Sequence, residues 1–156
     1  MKLKKAKVFG LMRQITTLFK AAVVGAFVSI STAAVANPYD YRVIRVLDGD
    51  TVEFDAPFLP RELKQTLRLR IEGVDTPEKG RMAKCDRERE LAERATRFTQ
   101  QQVARATKHQ ITIIGWDKYG GRVIGDLLLD GKSLRQMLLE SKNAAPYDGG
   151  KKASWC

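Results

Sequence analysis

Two cysteines and one histidine are all that this 156-residue chain offers in soft or imidazole ligands. Cys85, Cys156 and His109 cannot build a Cys/His zinc site of the usual four-ligand kind. Chemistry that relies on several histidines is excluded as well, and His109 reads as an ordinary residue between a helix and a strand. Long apolar runs are scarce too. The longest, from Ala21 to Ala36, has about 16 residues, whereas a membrane-spanning helix needs about 20. There is no low-complexity stretch, internal repeat or long linker after Asn37.

Acidic residues are absent from the N-terminal leader, which carries Lys2, Lys4, Lys5, Lys7, Arg13 and Lys20. Its apolar run closes on Ala34-Val35-Ala36, an A-x-A cleavage pattern. Residues 1–36 are therefore expected to be a signal peptide of an exported protein, periplasmic or secreted; the alternative is an uncleaved anchor. Setting the six leader cations aside lowers the net charge from +10 to +4. That surplus suits a phosphate-rich partner without identifying one. In an oxidising compartment the two cysteines are expected to pair, closing a loop of about 70 residues worth roughly 4 kcal/mol. In a reducing compartment they would stay free thiols.

Residues 37–156 read as one compact domain. Tyr41 to Leu47 and Thr51 to Phe54 are strand-like around Asp48-Gly49, a hairpin signal. Leu67, Leu69 and Ile71 alternate with Arg68 and Arg70, as a half-buried strand does. A helix is expected from Asp86 to Ala106, with Asp86 as N-cap and Leu91, Ala95, Phe98, Val103 and Ala106 on its apolar face. Strands over Gln110 to Gly115 and Arg122 to Leu129 flank the turn Asp117 to Gly121, and Ser133 caps a second helix reaching Ser141. The tail from Asn143 to Cys156 looks irregular. Five short strands with two helices predict a β-rich α+β fold. The best candidate is a small five-stranded OB-fold barrel, closed or partly closed, with packed helices.

Three polar segments stand out: Asp48-Gly49-Asp50-Thr51, Asp75-Thr76-Pro77-Glu78 and Asp117 to Arg122. Each alone is explained by a turn or a Pro-containing loop. Together they offer carboxylates on Asp50 and Asp75 and a carbonyl on Thr76, hard oxygen donors of the kind calcium takes. Glu78 stands three residues after Asp75, placed to activate a water. Arg70 and Arg122 carry guanidiniums suited to phosphate oxygens.

These segments resemble the staphylococcal nuclease family over Tyr41 to Tyr147. The motifs are Asp48 to Val52, Arg70 to Glu78, Asp117 to Arg122 and Asp130-Gly131-Lys132, in the family's order. The resemblance implies one calcium ion held by Asp50, Asp75 and the Thr76 carbonyl; magnesium or manganese suit the same oxygens. It implies Glu78 as general base, Arg70 on the scissile phosphate and Arg122 on the transition state. Lys118, Tyr119 and Tyr147 match positions that touch a terminal phosphate or a stacked nucleotide. The expected activity is sequence-nonspecific hydrolysis of DNA and RNA at the P–O5′ bond, leaving 3′-phosphates. The expected protein is a monomer with no stable protein partner and no membrane attachment after signal cleavage. The alternative is a nucleic-acid-binding OB module without catalysis. Departures from the family pattern are a second glycine before Arg122, a longer connection from Asp55 to Gln65, and a short tail in place of a third helix.

Overall fold

A computed structural model describes residues 38–156. The expected signal peptide, residues 1–36, lies outside the described residues. Among those described, no helix is long and apolar enough to cross a membrane.

The chain runs through β1 (Tyr39–Asp40), β2 (Val43–Val46), β3 (Thr51–Asp55), β4 (Thr66–Ile71), β5 (Val74–Asp75), α1 (Asp86–Arg105), β6 (His109–Trp116), β7 (Val123–Leu129), β8 (Lys132–Ser133), α2 (Leu134–Glu140) and β9 (Ala145–Pro146). The main sheet has the order β1-β6-β7-β4-β3-β2, with β8 paired to β7, while β5 and β9 form a separate two-stranded ribbon. All pairs are antiparallel except β4 with β7. The β-rich α+β fold with two helices is as expected, but the five-stranded closed barrel is not: no pairing among the described residues joins β1 to β2. Only Tyr41 and Arg42 separate these two edge strands. Three Cα steps reach at most about 11 Å, so the sheet must curl until its edges approach.

The alternating burial of β7, with Val123, Gly125, Leu127 and Leu129 inward, shows why this segment is a half-buried strand. Val52, Phe54, Leu69, Ile71, Ile111 and Leu127 meet Leu134 and Leu138 of α2 in the core. Each such large side chain contributes roughly 1.5–3 kcal/mol on burial. At Gly125 an added Cβ would lie 1.7 Å from the Thr112 carbonyl oxygen, so only glycine permits the β6–β7 approach. The Gly125 carbonyl accepts the Glu72 amide at 2.7 Å, fixing the turn that leads into Asp75.

Helix α1 begins one residue earlier than a cap at Asp86 requires. Cys85 is the N-cap, its sulfur accepting the Glu88 amide, and Asp86 is the first helical residue. The buried stripe is also rotated from the expected one. Glu88, Ala92, Ala95, Thr96 and Thr99 are inside, while Leu91, Phe98 and Val103 are only half covered. Ser133 does cap α2, accepting from the Gln136 amide. The tail is not wholly irregular, because β9 pairs with β5 in the register Asp75↔Ala145.

Candidate active site

The β2–β3 turn delivers the first carboxylate. Leu47 donates its amide to the Thr51 carbonyl at 2.9 Å, and Asp48 Oδ1 accepts the Asp50 amide at 3.1 Å. Gly49 lies flat against α1: an added Cβ would meet Ala95 Cβ at 2.8 Å and Thr76 Cγ2 at 2.9 Å. Its carbonyl accepts the buried Thr99 hydroxyl at 2.6 Å. Ile71 donates to the Asp50 carbonyl at 2.8 Å, so the turn is also fastened to the end of β4. Asp50, only 2% exposed, is thereby carried inward to the Asp75–Thr76 segment.

Arg70 joins the two buried aspartates. Its Nη1 donates to Asp50 Oδ1 at 2.6 Å, and its Nη2 lies 3.6 Å from Asp75 Oδ1 and 3.3 Å from the Val74 carbonyl. Asp50 also accepts from Thr51 Oγ1 at 3.0 Å and from the Thr76 amide at 3.1 Å. Burial nevertheless pushes the Asp50 carboxyl up to about 7, against the pull of Arg70, with Asp48 adding to the rise and the Thr51 and Thr76 hydrogen bonds opposing it.

Asp75 is 2% exposed, and its Oδ2 accepts the Trp155 indole N–H at 3.4 Å. Its buried Oδ1 receives no aligned hydrogen bond, although the Lys152 ammonium stands 2.8 Å away. We read that contact as charge attraction rather than a directed bond. Lys152 also donates to Glu78 Oε1 at 2.6 Å. Burial works against the Lys152 charge, but Asp75 and Glu78 outweigh it and the ammonium pKa is raised.

The second arginine sits on the neighbouring strand. Arg122 directly precedes Val123, which pairs with Leu69. Gly120 and Gly121, at φ 71° and 73°, take up the additional residue of the turn in left-handed backbone. The turn still closes, with Asp117 donating to the Arg122 carbonyl at 3.0 Å and Gly120 to the Asp117 carbonyl at 2.9 Å. The Arg122 side chain bonds Asp117, and that hydrogen bond chiefly holds the Asp117 carboxyl below its usual range; burial opposes, while the Tyr119 amide and the charges of Arg122 and Arg70 assist. The two arginines thus share one electrostatic neighbourhood. No hydrogen bond or ion pair among the described residues joins Arg122 to Asp50, Asp75 or Glu78.

Lys118 and Tyr119 lie at the rim of that turn, the ammonium 5.0 Å from the centre of a phenol ring that is 80% exposed. Tyr147 is half-buried; its amide donates to the Gly73 carbonyl and its hydroxyl to that of Gly150, both at 3.1 Å. Cys85 and Cys156 are joined in a disulfide with Cα atoms 6.1 Å apart. Between disulfide and site stands Glu88, whose buried carboxylate accepts the Lys84 amide at 2.6 Å and the Glu78 amide at 3.4 Å. The Cys156 sulfur lies 3.9 Å from it, a contact only, since a disulfide has no proton to donate.

The structure therefore brings Asp50, Arg70, Asp75 and Thr76 together, with Glu78 linked through Lys152 and Arg122 one strand away. Sequence reasoning missed Lys152, Trp155 and Glu88, and it named Asp117 only as the start of the turn before Arg122, not as that arginine's partner. The one available signal was Lys151-Lys152 lying just before a cysteine expected to be tethered.

No group of three or more His, Cys, Asp or Glu among the described residues converges as a ready-made metal cluster. The donor chemistry still fits a hard divalent cation. Two buried carboxylates share a single guanidinium, and one of their oxygens lacks an aligned donor. A cation there would draw its remaining ligands from carbonyl oxygen and water.

Comparison with curated proteins gives no match. Residues 68–152, more than half of the chain and spanning Arg70, Asp75, Glu78 and Arg122, match the family model described as staphylococcal nuclease homologue, and the chain belongs to that family.

Proposed function

We propose that this protein is a calcium-dependent, sequence-nonspecific nuclease that hydrolyses DNA and RNA at the P–O5′ bond, leaving 3′-phosphates. The observation that carries the reading is the pair of buried carboxylates, Asp50 and Asp75, spanned by Arg70 with Glu78 at their edge. Asp50, Asp75 and the Thr76 carbonyl would hold the cation, which supplies positive charge to a phosphate that gains negative charge as water adds. Magnesium and manganese are the other candidates for the same oxygens.

The remaining roles belong to side chains. Arg70 offers Nη donors to a non-bridging phosphate oxygen. Glu78 accepts a proton from the attacking water while the new P–O bond forms and the bond to O5′ breaks. Arg122, released from Asp117, meets charge on the phosphorane or the departing oxygen. Lys118, Tyr119 and Tyr147 bracket the nucleotide, an exposed phenol giving a base a face to stack on. We read the curled sheet as an OB-type barrel left open at its β1/β2 seam, and residues 1–36 as the export signal of a monomeric protein.

The competing reading is a nucleic-acid-binding module without catalysis. Pooled cations alone give phosphate affinity, so binding does not require Glu78 or an oriented Arg122. Glu78→Gln and Arg122→Ala are expected to keep single-stranded DNA binding and lose turnover, Arg122→Ala by about 10²–10³ in kcat. Unchanged turnover in both variants would reject these roles, and a wild-type chain that binds without cleaving would establish the module.

A further inference from the structure

The C-terminal tail reaches the candidate metal site from the far end of the chain. Its path is pinned repeatedly: β9 pairs with β5, Tyr147 donates to Gly73, the Trp155 indole donates to Asp75, and Cys156 is bonded to Cys85 at the head of α1. Within that span Lys152 puts its ammonium between two carboxylates, 2.8 Å from Asp75 Oδ1 and 2.6 Å from Glu78 Oε1. These belong to the residues assigned above to the cation and to the base.

We infer that residues 148–156 form a disulfide-tethered strap whose Lys152 competes with the divalent cation for Asp75 and holds Glu78 in an ion pair. The inference rests on the reading that Asp50 and Asp75 take a cation. An ammonium 2.8 Å from Asp75 Oδ1 and a divalent cation on that oxygen repel each other, so the presence of one weakens the hold of the other. While Lys152 holds Glu78 Oε1, only Oε2 is left to face a water. Lys152 remains 40% exposed, which leaves it a route outward. Gly149, at φ 93°, and Gly150 provide a bend at the start of the strap, and Asp148 and Tyr147 hold the near side of that bend. The tether matters because both ends of the segment are fixed. Lys152 acts at the high effective concentration of an intramolecular ligand rather than as a free amine.

Calorimetric titration of calcium into the full chain, without nucleic acid, tests this directly. Lys152→Met is expected to tighten calcium binding by about two- to fivefold, the range for displacing one partly exposed ion pair. Lys151→Met removes the same charge one residue away and is expected to leave affinity near wild type. Dithiothreitol, which takes up the disulfide's place as oxidised dithiol while Cys85 and Cys156 become thiols, is expected to tighten wild-type binding and leave Lys152→Met unchanged. Equal affinities for wild type and Lys152→Met, or equal effects of Lys151→Met and Lys152→Met, would overturn the competition. Reduced wild type binding as weakly as oxidised would overturn the tether's part in it. Absence of calcium binding in every form would contradict the metal reading itself, a different result from binding that ignores Lys152.

Discussion

Gly49 has no room for a methyl group, and its neighbours have little freedom to provide any. A Cβ there would lie 2.8 Å from Ala95 Cβ, 2.9 Å from Thr76 Cγ2 and 3.0 Å from Thr76 Cβ. Carbon pairs rest best at about 3.5–4.0 Å, so all three contacts are repulsive. Ala95 is fixed in the middle of a 20-residue helix, and Thr76 is held by the hydrogen bond its amide donates to the Asp50 carboxylate. Relief must come from shifting the turn, the helix or the Thr76 segment. With both neighbours held, overpacking of this kind costs about 2–3 kcal/mol, the upper part of its usual range, less about 0.5–1 kcal/mol for the lower chain entropy of unfolded alanine, a net of about 1–2.5 kcal/mol. For a domain of about 120 residues, each kcal/mol moves Tm by about 4 °C, giving an expected fall of roughly 4–10 °C for Gly49→Ala. Thermal unfolding followed by circular dichroism measures it. Ala95→Gly on the Gly49→Ala background is expected to restore part of the loss, since it removes one of the clashing carbons. Because the displaced atoms include Thr76, calcium affinity is expected to weaken in the single variant. An unchanged or raised Tm would refute the packing argument, and unchanged calcium affinity would refute the link from Gly49 through Thr76 to Asp50.

Two further perturbations probe the frame around the site. Cys156→Ser opens a loop with a sequence separation of 71, for which the chain-entropy relation gives about 4 kcal/mol and a Tm loss of roughly 16 °C under oxidising conditions. A Tm within a few degrees of wild type would show that the bridge does not constrain the unfolded chain. Glu53 is held at about 2 by hydrogen bonds from Lys64 and Arg45, against an ordinary value of 4.5. Burial opposes the charge, ranking below those two hydrogen bonds, and the charges of Arg45 and Lys64 add to the lowering. A depressed carboxylate stabilises the fold above pH 4.5, and that contribution is lost as pH falls through about 2. Glu53→Gln is expected to flatten the pH dependence of urea unfolding in that window, and an unaltered slope would contradict the assignment.

What could be read from residues alone was local. Asp48-Gly49 and Asp130-Gly131 mark turns by their backbone demands, and the structure has positive φ at both residues of the second pair. The Leu67, Leu69, Ile71 alternation gives β4, with Leu69 and Ile71 fully inside. The α1 stripe was misjudged because its buried face is partly polar. Thr99 is inside because its hydroxyl serves the Gly49 carbonyl, and Glu88 because its carboxylate serves the Lys84 and Glu78 amides. Hydrophobic periodicity carries no trace of such bonds. The two-residue strands β1, β5, β8 and β9 are too short for any period to show. At the site, Asp50, Arg70 and Asp75 were legible as chemistry, and the structure sets Arg70 between the two carboxylates, 2.6 Å from Asp50 and 3.6 Å from Asp75. Arg122 was legible too, but its pairing with Asp117 was not. Lys152 reaches Glu78 across 74 residues, a contact that depends on how the tail returns past β5.

The most direct measurement is cleavage of single-stranded DNA and of RNA by the purified chain with calcium, with magnesium and with a chelator, followed by end-group analysis of the fragments. Calcium-dependent cleavage that leaves 3′-phosphates and stops with the chelator is the predicted result. Cleavage undiminished by the chelator, or binding without cleavage in every metal, would contradict it.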